Sequence, residues 1–200
     1  MNQNGSFVTS FDEADLSEFK RYISGQKPYH ARLSLALTIR LAICNLEHMD
    51  TFNVLDEIDY LEGIKPSSRT KKPARFRKPP LQNLWHKHFF STRHLVKNVG
   101  VRWNLADGGN ADFSAMIESV EKDFGDNPDL WQKVLAHRLV IEGFSERACR
   151  GLTGDWIVYG VHEGKNFYLD VAKHEEGRQP EHLLRNLRSG CYAEFPFLFE

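Results

Sequence analysis

Cysteine is scarce in this chain. Only Cys44, Cys149 and Cys191 occur in 200 residues, far apart and with no Cys-x-x-Cys pair. That excludes a disulfide framework and a cysteine-rich zinc module, and it fits a reducing compartment, so cytosol is the expected location. Long apolar runs are also missing. The most apolar stretch, around Leu33 to Leu46, is interrupted by Arg40 and Asn45, and Met1 to Thr9 has no basic-then-apolar pattern. Neither secretion nor a membrane partner is therefore expected.

Several chemical signatures are absent as well. The sequence has no Gly-x-Ser-x-Gly, no P-loop and no dinucleotide fingerprint, and Gly108-Gly109 alone reads as a turn. No cysteine sits with a histidine in a recognisable nucleophile motif. There is no His-Glu-x-x-His and no carboxylate-rich loop, so neither a metal nor a cofactor is expected.

The most informative absence is of acid. Between Glu62 and Asp107 there is no Asp or Glu, while Lys65, Arg69, Lys71, Lys72, Arg75, Arg77, Lys78, Lys87, Arg93, Lys97 and Arg102 all fall inside the window. The remaining 15 basic residues face all 27 acids, so a formal net charge of -1 conceals a strong separation of charge. Clustered Lys and Arg attract phosphate backbones because each neutralised phosphate releases counterions, and no local acid opposes them here. Those eleven side chains are the candidate nucleic-acid contacts. An acidic protein partner or inhibitor, or the acidic remainder of the same chain, would satisfy the same charges.

The periodicities point to a helix-rich α+β protein of six to eight helices with a C-terminal antiparallel hairpin, arranged as a single domain over 1–200. Ser10 and Glu13 form a capping-box pattern, and Leu16, Phe19 and Ile23 repeat at helical spacing over 11–24. From Leu33 to Ile43 the leucines and isoleucines alternate like a strand. Their unbranched character and the length of the run also suit a helix, so both remain open. A helix is predicted over 51–61, and residues 64–80, with four prolines and most of the basic run, read as an exposed, mobile loop.

After Pro80, Leu81, Leu84, Trp85, His88, Phe89, Leu95, Val96 and Val99 suggest an amphipathic helix. Its opposite face would carry His86, Lys87, Phe90, Arg93, His94 and Lys97. Helices follow over 113–124 and from Asn127-Pro128 to about Glu142, with a short piece over 145–150. Residues 155–162 and 167–173 form the hairpin, joined by Glu163-Gly164-Lys165-Asn166, and a helix from Pro180 and an apolar tail over 195–199 complete the C-terminal unit, 155–200.

Histidine titrates near neutrality, and Arg and Lys stabilise the charge of a phosphoryl transition state. Metal-independent RNA cleavage through the 2′-hydroxyl needs both. His86, Arg93 and His94 on the basic helix, with Tyr159 and His174 at the hairpin, are the candidate catalytic residues. On a helix His86 and His88 would diverge by about 200 degrees and could not act together, and His88 would be a core residue. The expected function is nucleic-acid binding, RNA rather than DNA, extending to an endoribonuclease of toxin or defence type. The alternative is a non-enzymatic interaction or regulatory protein whose basic middle docks on an acidic partner.

Overall fold

The computed structural model describes residues 10–46, 51–91, 94–149 and 154–200, and for 45, 46, 148 and 149 the backbone alone. Helix α1 (Glu13–Ser24) starts at Asp12, whose side chain and that of Asp15 exchange capping hydrogen bonds. The box thus lies two residues later than the Ser10/Glu13 pattern suggests. Helix α2 (Leu35–Leu46) resolves the ambiguous segment as helix. Ser34 decides it locally: its Oγ accepts from the Leu37 amide at 2.9 Å, a cap that an alternating strand would not need. Helix α3 (Thr51–Leu61) follows as expected.

Downstream the chain departs from the sequence expectation. Residues 64–80 are not wholly irregular, for Ala74–Arg75 form a short strand, β1, that pairs with β2 (Leu84–Phe89). Thr70 is buried, and Phe76 packs against the core. The predicted helix after Pro80 is therefore corrected: it is strand β2, and helix α4 (Leu95–Trp103) begins only after Ser91 and the two residues that follow it. The physical reason is that Leu-Trp-His-Lys-His-Phe is aromatic-rich and gains a full antiparallel partner in β3, which outweighs a short run of helix-like spacing.

Helices α5 (Ala111–Phe124), α6 (Pro128–His137) and α7 (Gly143–Cys149) pack on α4 around Val99, Trp103 and Met116, with a π-helical turn over Arg138–Glu142 between the last two. Strands β3 (Asp155–His162) and β4 (Lys165–Ala172) form the predicted hairpin, and α8 (Pro180–Cys191) follows. The sheet runs β1-β2-β3-β4, antiparallel throughout. The hairpin thus gains its third strand from 84–89.

Alternation along the strands divides the sheet into two faces. Phe89, Ile157, Tyr159 and Tyr168 join Ile23, Leu33, Leu37 and Leu55 in the layer beneath α1, α2 and α3. Leu84, Val158 and Leu169 pack on the other side against Leu183, Leu187 and Phe195 of α8 and the tail. No helix among the described residues is long and apolar enough to cross a membrane.

Candidate functional site

Strand geometry reverses the inference about His86 and His88. Two residues apart on β2, they point to the same face of the sheet, where their ring centroids lie 5.8 Å apart. Trp156 on the neighbouring strand β3 lies 4.9 Å from His86 and 6.1 Å from His88. His174, just beyond β4, is 5.0 Å from Trp156 and 6.1 Å from His88. Phe76 covers His86 from the β1 side at 4.7 Å.

The start of β3 anchors this group. Gly154 lies so close to the preceding strand that a Cβ on it would sit 1.8 Å from the Phe89 carbonyl oxygen, so only glycine permits the approach. Both the Gly154 carbonyl, at 3.0 Å, and the Gly154 amide, at 3.4 Å, face His88 Nδ1. Asp155 Oδ1 lies 3.3 Å from His94 Nε2 and accepts from the His174 amide at 3.2 Å. One two-residue segment thus orients three histidines. Gly177 allows the following turn to rest on the indole, since a Cβ there would meet Trp156 Cη2 at 2.3 Å.

Two polar atoms in the group stand out. His86 Nδ1 and Trp156 Nε1 are buried and have no hydrogen-bond partner among the described residues. A buried polar atom left without a partner costs about 1–3 kcal/mol. Burial and nearby cations govern the rings' protonation. Burial first, then His174 and Lys71, pushes the His86 pKa down to about 4. His88 is likewise pushed down to about 4, mainly by burial, against the opposing Gly154 carbonyl. Burial and the nearby Lys97 lower His174, while Glu175 acts the other way. These rings are neutral bases at pH 7.

The other face of the same strand differs. Lys87 is wholly buried, and its Nζ donates to Ser68 Oγ at 2.9 Å, to Thr70 Oγ1 and to the Lys71 carbonyl at 2.8 Å. It also pairs with Glu57 of α3 at 2.8 Å. This ammonium clamps the basic segment onto the sheet, and it is not the surface cation the sequence suggested. Arg102 is corrected in the same way, being buried between Asp112 and Glu146, and Lys65 is paired with Asp56 at 2.5 Å. Arg69, Lys71, Lys72, Arg75, Arg77, Lys78 and Lys97 are exposed and make no ion pair among the described residues. Arg75 is instead held by the Gln82 carbonyl at 2.7 Å.

Of the candidate catalytic residues, His86, His94 and His174 come together, although not on the helical face expected. Tyr159 does not join them. It is buried in the opposite layer, 5.9 Å from Tyr168, and burial raises its pKa. Arg93 lies outside the described residues. The sequence reading missed His88 and Trp156 as members of the group. The only local signal was the alternation of Trp85, Lys87 and Phe89 with His86 and His88. Cys191 is buried with its thiol pushed up to about 12, chiefly by burial, and is inert at neutral pH. Among the described residues, no three His, Cys, Asp or Glu side chains are grouped so as to hold a metal ion. No protein-family model, curated protein or solved structure matches this chain.

Proposed function

We propose that this protein binds RNA and cleaves it without a metal, using the histidine group at the start of β3. The observation that carries the reading is the juxtaposition of His86, Trp156 and His174 with the uncovered ammonium groups of Lys71 and Lys97, close enough to depress the histidine pKa values. Exposed cations along 69–78 extend the positive surface away from it. His88 and His94 are buried, whereas His86 and His174 are half-buried and so can meet a substrate.

The chemistry follows from these states. His86, neutral at physiological pH, takes the 2′-hydroxyl proton as the 2′-oxygen bonds to phosphorus. The bond from phosphorus to the 5′-oxygen breaks, and the leaving oxygen takes its proton from the protonated fraction of His174, a fraction that grows as pH falls because burial and Lys97 hold that ring below its ordinary pKa. The products are a 2′,3′-cyclic phosphate and a free 5′-hydroxyl. Lys71 and Lys97 oppose the charge that builds on the phosphoryl oxygens. Docking on an acidic protein would employ the same cations but leaves the histidine group and its unpartnered nitrogens without a role.

The test is incubation of purified protein with labelled RNA at pH 5 to 8, with and without EDTA. Retained RNA and EDTA-insensitive fragments ending in cyclic phosphate are expected. Retention without fragments at every pH would reduce the reading to binding alone, and loss of both would refute it.

A further inference from the structure

A cavity of about 450 Å³ opens at the same end of the sheet as the histidines, but on the face beneath α2 and α3. Its walls include Leu41, Ile43, Val54, Phe89 and Val171, and its polar groups include Arg40, Thr51, Ser91, Asp155, Lys173 and Glu176. The volume and the mixture of apolar wall with a few polar groups are typical of a small-molecule pocket. Asp155 belongs to both places: it lines the cavity, and its Oδ1 contacts His94 Nε2 at 3.3 Å and the His174 amide at 3.2 Å. The Lys173 amide donates to Glu176 Oε2 at 2.6 Å, both residues line the cavity, and His174 between them belongs to the histidine group.

We infer that this cavity receives one unstacked base of the RNA strand whose phosphate lies at Lys71, Lys97 and His174, an inference that rests on the RNA reading above. The carboxylates of Asp155 and Glu176 disfavour a second phosphate there. The Glu176 carboxylate accepts from the N–H groups of an uncharged base and Lys173 supplies a donor for its carbonyl or ring-nitrogen acceptors, while Arg40 is held by Asp170 through Nε and Nη2 at 3.0 and 2.8 Å and Asp155 by the His174 amide. A base reaches the cavity only if the strand turns over the end of the sheet, where β2 and β4 stop and β3 begins. A duplex cannot do this, so the substrate class is single-stranded RNA.

The experiment is a binding titration with three short oligomers of equal length: a single-stranded RNA carrying 2-aminopurine at one position, the same oligomer with an abasic ribose at that position, and its duplex. The aminopurine strand should bind about tenfold or more tightly than the abasic one, with fluorescence rising as the base unstacks, and the duplex should bind more weakly still. Ile43→Trp, which fills the cavity from its exposed rim, should remove the advantage of the base while keeping abasic affinity and salt dependence. Equal binding of base-bearing and abasic strands, with no fluorescence change, overturns the cavity assignment and leaves phosphate binding standing. Failure of all three oligomers to bind overturns the RNA reading itself. The oligomer comparison in the wild-type protein stands even if Ile43→Trp fails to fold.

Discussion

Strand β2 presents two opposite solutions to burying basic side chains. On the helix side, Lys87 is completely buried and every donor is engaged, by Glu57, Ser68, Thr70 and the Lys71 carbonyl. On the other side, one residue away in each direction, His86 and His88 are desolvated to the point of losing their charge, and His86 Nδ1 has no partner. A fully satisfied buried charge is a structural device, and its removal costs stability. Desolvated groups left without partners cost stability where they stand, and they are characteristic of places where a ligand or a reaction supplies what is missing.

The sharpest way to break this comparison is at Lys87. Lys87→Met should lower unfolding stability by about 3–5 kcal/mol, because Glu57 is left as an uncompensated buried charge. Urea denaturation would show this as a lower midpoint with an unchanged slope. Replacing Lys87 and Glu57 together by apolar residues should recover much of the loss. A cost below about 1 kcal/mol for the single change would mean that the clamp contributes little.

On the histidine side the order of effects inverts. His86→Ala and His174→Ala should each slow cleavage by about a hundredfold or more while leaving RNA affinity nearly unchanged, since acid-base groups act in the transition state. Thermal unfolding of both variants should stay close to that of the parent. A parallel fall in affinity and stability would assign these residues to packing instead.

Acid should also distinguish the two faces. His86 and His88 have folded-state pKa values near 4 against an ordinary 6.5, so the unfolded chain takes up more protons between those values. Their contribution to stability is fully present above about pH 6.5 and is lost as pH falls towards 4. His86→Phe should flatten the dependence in that window, and unfolding midpoints measured from pH 7 to 4 would reveal it. An unchanged slope would place the acid sensitivity in the carboxylates.

The smallest expected effects belong to single exposed cations. Lys97→Ser should reduce the slope of log affinity against log salt by about 0.7 for single strands, one phosphate contact, with no change in stability. Lys87 variants that remain folded should leave that slope alone.

Much of this fold was legible locally. The helices over 13–24, 51–61, 111–124 and 128–137, the hairpin over 155–172 and the helix after Pro180 all announce themselves by apolar period or by Asn-Pro and Gly signals. Strand β2 was not, because Leu81, Leu84, Trp85, His88 and Phe89 satisfy a helical spacing over a window too short to decide. What fixes them as a strand is pairing with residues 155–160, some seventy positions later. The site suffered from the same non-locality. A basic, histidine-rich window was visible, but its division into clamp and reactive face depends on Glu57 and Ser68 on one side and on Trp156 and His174 on the other. The burial of Lys87 and Arg102 lay equally beyond charge counting, since each is neutralised by carboxylates from outside the acid-free window.

Photocrosslinking tests the central claim most directly. RNA carrying 4-thiouridine would be irradiated with the protein at low salt and the attached peptides mapped by mass spectrometry. Adducts should concentrate on peptides bearing Lys71 to Phe76, His86, Trp156 and His174, and should disappear at high salt. Crosslinks confined to α5, α6 and α7, or a uniform scatter over the surface, would contradict the assignment of this face as the one that meets RNA.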